Sequence, residues 1–343
     1  MHKKHYTALA ILILSALFLS ACAGAAPGEE FLACQVTDVG GIDDKSFNAT
    51  AWKGVTDAME QLGVRGQYLE SQEQADYEKN INAFLEQGCD LIITVGFLLG
   101  DATKAAAEAN PEQHFAIVDF TYDPVIPNVR GSAYQIDQAT FLAGYLAAGM
   151  TQTGKVGMYG GIQIPPVTAF MDGFHLGVQH YNQVHGTSVE VLGWDPATQT
   201  GLFTGNFEST DDGRRMGESL LDEGADIIMP VAGPVGAGTL AVFAERGTGL
   251  LIGVDTDWSV FYPDQADYVL ASALKNMDAW VVDTVGKVME GTFQGENYLG
   301  TLENNGVGVA YGSAWADRIP AELKAEIEQI RADIIAGTIA TMP

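Results

Sequence analysis

Four charged side chains stand where apolar runs end. Asp38 closes FLACQVTD (31–38), Asp119 follows Phe115-Ala116-Ile117-Val118, Asp255 closes LLIGVD (250–255), and Lys275 follows the apolar run Val269–Leu274. A carboxylate behind four apolar positions is costly to bury unpaired, so Asp119 is expected to face a cleft. Lys275 either pairs with an acid or holds a ligand hydroxyl or carbonyl. Near Asp38, Gly40-Gly41 permits a tight loop, Asp43 or Asp44 can cap a helix, and Phe47-Asn48 opens that helix. Phe97 ends the run 89–97, where it serves core packing or ligand contact. The glycine-rich turn after Val231, with Gly233 in it, can present backbone amides. Carboxylates accept hydrogen bonds from hydroxyls, and an aromatic face stacks on a flat ring. A sugar joined to a heterocycle satisfies such a set, and a nucleoside is one.

Catalysis is less well served. Residues 36–44 superficially resemble the acidic calcium loop of nucleoside hydrolases, but Val36 stands where the first aspartate belongs and the spacing to the final Asp pair is one residue too long. His114, His175, His180 and His185 do not fall at strand tips. Ser46 lies outside any G-x-S-x-G elbow. The turn at 231–238 is neither a Walker loop nor a GxGxxG. No cysteine or histidine spacing suits zinc, so neither a metal nor a cofactor is expected. The chain reads as a binder and not an enzyme, with a sugar or signal receptor as the rival reading and a nucleoside-hydrolysing enzyme behind it.

The elements that must hold these residues alternate. Apolar strands at 31–38, 66–71, 89–97, 114–120 and 129–135 are interleaved with helical spacing over 46–62, 76–87 and 102–109. After a helix at 138–150 the pattern restarts with strands at 155–161, 188–194, 225–233, 250–255 and 267–274. Helices are expected at 167–181, 212–221, 237–245, 277–289 and 321–337. Such alternation predicts an α/β protein with parallel sheets covered on both faces. Two series imply two doubly wound lobes, joined by a three-strand hinge at 133–138, 255–260 and 274–278. Lobe 1 is expected to hold 31–134 and about 258–291, lobe 2 to hold 135–257 and about 292–343. Ligands of open α/β sheets sit at the carboxyl ends of strands, where the charged residues cluster.

Composition narrows the class. Hydrophobic residues make up 47% of 343, too many for a disordered chain. The 44 acidic and 17 basic residues give a formal charge of −27, which argues against nucleic acid as a partner. Residues 1–21 read as an export leader: Lys3-Lys4, then an apolar stretch too short to span a membrane. Leu19-Ser20-Ala21-Cys22 resembles a lipobox, which makes Cys22 the expected acylation site and 22–30 a tether. Cys34 and Cys89 then remain. Two buried thiols are the plainer expectation, and a disulfide is open to an exported protein.

The segments VTDVGGIDDKSFN (36–48), AIVDF (116–120), PVTAFMDGFHLG (166–177), PVAGPVGAG (230–238), IGVDTDW (252–258) and SALKN (272–276) resemble the basic membrane protein family of PnrA-like lipoproteins. The resemblance implies a type I periplasmic-binding-protein fold. It also implies a monomeric, lipid-anchored, extracytoplasmic receptor in the cell envelope that delivers purine nucleosides to the permease of an ABC importer. Carried over by motif, Asp38 and Asn48 bind ribose or base, Phe47 stacks on the base, and Asp119 bonds to base nitrogens. Asp255 and Lys275 hold ribose hydroxyls, and Gly233 contributes backbone. A second aromatic is implied from lobe 2. Residues 228–230 offer none, so Phe170, Phe203, Phe207, Trp258 or Met229 must substitute.

Overall fold

A computed structural model describes residues 30–343. The expected leader, the acylation site Cys22, and the tether apart from its last residue lie outside the described residues. The first apolar runs become β1 (Leu32–Val36), β2 (Arg65–Leu69), β3 (Leu91–Val95), β4 (His114–Val118) and β5 (Val129–Tyr134). Between them lie α1 (Phe47–Leu62), α2 (Ala75–Gln87) and α3 (Gly100–Ala109). The series restarts with α4 (Ile136–Met150), β6 (Lys155–Gly160), α5 (Pro165–His185) and β7 (Glu190–Leu192). A small ribbon, β8 (Trp194–Asp195) and β9 (Thr200–Gly201), precedes α6 (Thr210–Asp222), β10 (Ile227–Val231), α7 (Gly236–Arg246), β11 (Leu250–Asp255) and β12 (Val269–Lys275). The chain ends with α8 (Met277–Met289), β13 (Glu296–Gly300), β14 (Val307–Tyr311) and α9 (Ala321–Ile335). None of the described helices is long and apolar enough to cross a membrane.

Two six-stranded sheets result, ordered β13-β5-β4-β3-β1-β2 and β14-β12-β11-β10-β6-β7. Every pairing in them is parallel except β12 with β14. The central strands β1, β3 and β10 are buried along their whole length because helices cover both faces. In lobe 1, side chains such as Phe115, Ile92 and Leu99 are wholly withdrawn from water. Each such burial contributes about 1.5–3 kcal/mol. In lobe 2, α4 and α5 pack backbone to backbone. A Cβ at Gly144 would stand 2.1 Å from the Phe174 carbonyl oxygen and one at Gly177 would stand 2.0 Å from that of Phe141. A larger residue at either position would force the pair apart.

The lobe boundaries correct the expectation from sequence. Val269–Lys275 pairs with β11 and so stays in the second sheet, whereas Glu296–Gly300 pairs with β5 in the first. Lobe 1 therefore takes 277–300 instead of 258–291, and the chain returns to lobe 2 at β14. The three crossings are at Gln135, at Asn276 and over 301–306, and the expected one at 255–260 is not a crossing. The crossings bond to one another: the Gln135 amide donates to the Gly300 carbonyl at 2.8 Å, and the Asn276 amide to that of Gly306 at 2.9 Å. The C-terminal helix α9 belongs to lobe 2, where Glu326 accepts from the Tyr145 hydroxyl of α4 at 2.7 Å.

Cys34 and Cys89 are bridged, with Cα atoms 6.1 Å apart, which overturns the expectation of two free thiols. Cys34 lies in β1 and Cys89 two residues before its neighbour β3, so their side chains meet in one sheet. The bridge closes a loop of 55 residues. Chain-entropy arguments give such a closure about 4 kcal/mol. Replacing both cysteines by serine is expected to lower the denaturation free energy by up to that amount, read from urea melts. An unchanged midpoint would show that the bridge constrains nothing in the unfolded chain.

Candidate functional site

The carboxyl ends of β1, β3, β4, β10, β11 and β12 meet across the interlobe gap, where a cleft opens. Asp44 builds one wall. It accepts from the amides of Ser46, Asn48 and Ala49 at 2.7–2.9 Å and so caps α1, which places Phe47 and Asn48 at the helix mouth. The Asn48 side-chain amide donates to Asp38 at 2.7 Å and to Asp44 at 3.2 Å, while its oxygen accepts from the Asp38 amide. Asp38 Oδ1 also accepts from the Gly40 amide at 3.0 Å. Gly96, with φ +123°, passes so close that a Cβ there would stand 3.1 Å from Asp38 Oδ2. Glycine is required at that position.

The other wall is electrostatic. The Lys275 ammonium, from lobe 2, donates to Asp119 of lobe 1 at 2.7 Å and lies 3.8 Å from Asp255. Ser46 of lobe 1 donates to Asp255 Oδ2 at 3.0 Å and sits 3.2 Å from the Val254 carbonyl. Asp119 and Asp255 follow or close equivalent strands, β4 and β11, and both adopt left-handed backbone, with φ of 62° and 67°. That conformation costs a non-glycine residue about 1–2 kcal/mol, and strain of this kind clusters at binding sites. Lys275 is 2% exposed and lies among the rings of Phe47, Tyr134 and Phe170, whose centroids are 5.1–5.7 Å from its nitrogen.

Burial pushes the Asp38 carboxyl up to about 6, against the pull of its Asn48 and Gly40 donors. Burial likewise pushes Asp44 up to about 7, against its three amide donors. Asp255 is raised by burial too, with Lys275 opposing. A carboxyl raised on folding binds its proton more readily in the native state. Its stabilising protonation is therefore complete at acid pH and is lost as pH rises toward 6–7. The melting temperature is expected to be higher at pH 5.5 than at pH 7.5. A fall on acidification would mean that the donors hold these groups ionised.

Asp38, Phe47, Asn48, Asp119, Gly233, Asp255 and Lys275 all line this cleft, and so do Phe97 and Phe170. Three expected contacts are not there. Met229 lies mid-strand in β10, paired with Met158 and fully buried, two residues short of the strand tip. Trp258 is also fully buried. Its indole N–H donates to the Val254 carbonyl at 3.0 Å, and its ring fills the space over Gly236 and Gly253. Phe203 packs on Gly160 and edge-on to Trp194, away from the lining. Of the lobe 2 aromatics, Phe170 and Phe207 reach the cleft. Phe207 sits on a loop folded against Gly161, with no periodicity to mark it. Asp44, expected only as a possible helix cap, also lines the cleft, and the sequence did not single out the apolar wall of Ile164, Pro166 and Val167.

The sequence profile of the Bmp family, described as "ABC transporter substrate-binding protein PnrA-like", matches residues 31–340. Basic membrane protein A of Borreliella burgdorferi is 32% identical, over 95% of this chain and 92% of its own length. The ABC transporter nucleoside-binding protein BmpA of Lactococcus lactis is 28% identical, over 100% of this chain and 99% of its own. Among solved structures, an ABC transporter solute-binding protein from Aeropyrum pernix superimposes with a TM-score of 0.80 at 27% identity, covering 90% of this chain and 92% of that one. The two sheets and three crossings are accordingly those of a type I periplasmic-binding-protein fold. Fold, cleft and sequence agree, and the chain belongs to the Bmp family of PnrA-like substrate-binding proteins of ABC transporters.

Proposed function

We propose that this chain captures uncharged nucleosides, purine nucleosides foremost, for an ABC importer, as a monomer held to the outer face of a membrane through lipid on Cys22. One observation carries the ligand: a cleft with aromatic side chains from both lobes, Phe47 and Phe207, and a single lysine shared by two carboxylates. Phe47 and Phe207 stack on the base. Asp38, with Oδ2 turned toward no donor of its own loop, reads a base edge, while Asn48 positions Asp38 because its amide protons are engaged. Asp119 shares Lys275 with Asp255, so we assign all three to the vicinal hydroxyls of ribose, and Asp119 leaves the base role its motif implied. The one lysine is already shared by Asp119 and Asp255, which leaves a phosphate no free cation and selects nucleosides over nucleotides. The Leu19-Ser20-Ala21-Cys22 motif supports the anchor.

Thermal-shift measurements on purified, refolded protein test this reading, since a ligand bound only by the native state raises the melting point. Adenosine, guanosine and inosine are expected to shift it, and ribose and glucose are not. A shift with a sugar and none with any nucleoside would assign the same cleft to a sugar receptor. Phe47→Ala is expected to weaken nucleoside binding about tenfold, in line with base–aromatic stacking. Nucleoside affinity unchanged in Phe47→Ala would reject stacking.

A further inference from the structure

Beyond the Lys275–Asp119 pair the gap continues into a second chamber, partly open to solvent. The two spaces share Phe97, Asp119, Pro166 and Lys275, so the ion pair is a partition and not an end wall. The chamber is walled by Phe120, Tyr134, Ile136, Pro165 and Ala169. Lys275 is its one cation among the described residues, and Asp119 already holds it at 2.7 Å. The Tyr134 ring belongs to this wall, its centroid 5.7 Å from the Lys275 nitrogen.

A ribose held at Lys275 stands at the threshold. Its vicinal hydroxyls are engaged by Lys275 and the carboxylates, and its anomeric carbon carries the base. The exocyclic 5′ carbon is the remaining position that can bear a substituent without removing either contact. We propose that the chamber accepts an uncharged, largely apolar substituent on that carbon, such as an alkylthio group, so that the protein takes 5′-modified nucleosides as well as the parent compounds. The inference rests on the nucleoside reading above. Apolar walls favour a thioether or alkyl chain, a polarizable sulfur packs well against Phe120 and Tyr134, and a phosphate would meet Asp119 with no free cation.

Calorimetric titration of the refolded protein with adenosine, 5′-deoxy-5′-methylthioadenosine and adenosine 5′-monophosphate tests it. The methylthio compound is expected to bind within about threefold of adenosine and the monophosphate at least about tenfold more weakly. Ala169→Trp, which fills the chamber from α5, should cost the methylthio compound about tenfold and leave adenosine within about twofold. Ala133 of β5 also lines the chamber, and Ala133→Leu serves the same purpose if the first variant melts early. Adenosine bound tightly but the methylthio compound more than about tenfold more weakly by the parent protein would overturn the chamber and leave the nucleoside reading intact. Equal losses of both ligands in both variants would overturn it too, as would tight binding of the monophosphate. If the parent protein binds none of the three, the nucleoside reading falls first and the chamber's ligand with it.

Discussion

Asp255→Asn should weaken nucleoside binding by about tenfold to a hundredfold, the worth of charged hydrogen bonds to hydroxyls, while the protein melts close to its parent. The two effects separate because of what surrounds Asp255. Lys275 keeps its 2.7 Å partner Asp119, and the Ser46 hydroxyl keeps the Val254 carbonyl. Burial already disfavours the ionised Asp255, so removing its charge takes little from the folded state. Asparagine is the informative replacement because it tolerates the φ of 67°. Alanine there would add a left-handed backbone penalty of about 1–2 kcal/mol and blur the result. Calorimetry and thermal melts on the same sample check it. If binding and melting collapse together, Asp255 holds the fold and not the ligand.

Lys275→Met should do the opposite and damage both. The lysine is the one cation of the cleft among the described residues, and it faces Asp119 and Asp255. Removing one partner of a buried pair costs about 3–5 kcal/mol, since the remaining charge is left without compensation. Binding should fall at least as far as in Asp255→Asn. The orphaned carboxylates can escape by taking up protons, so the destabilisation relative to the parent should be smaller at pH 5 than at pH 8. Urea denaturation at both pH values reads this directly. A variant as stable as its parent at pH 8 would mean that the lysine contributes nothing as a cation.

The strand tips were legible because apolar runs mark strands buried on both faces, and a charge after such a run has nowhere to go but the cleft. Asp38, Asp119, Asp255 and Lys275 were all found that way and all line it. The same logic failed for β13 and β14. Their sequences, ENYLG and VGVAY, form half-exposed edge strands that make no apolar run. Missing them misplaced one hinge crossing and moved 258–275 to the wrong lobe. Trp258 misled because it follows the acidic tip at 255–257. Asp257, however, caps a one-turn helix, accepting from the Ser259 amide, and the indole turns into the core. Phe207 was undecidable from sequence, since a loop aromatic is placed by the glycine it rests on. The disulfide was equally so, because its geometry depends on β1 and β3 being neighbours, a matter of strand order.

The mutual bonds of the three crossings reach further than the fold. Gln135 on Gly300 and Asn276 on Gly306 lace the connecting segments into one strip. Segments bonded in this way are coupled, so strain in one crossing is felt by the other two. The cleft's lining is divided between the lobes, and each share alone would hold a solute more weakly than both together. Once one lobe holds a solute, the second capture is intramolecular, at an effective concentration that the connecting strip governs. Affinity in this protein is then a joint property of contact chemistry and backbone mechanics. Residues that never touch the solute can tune how long it stays.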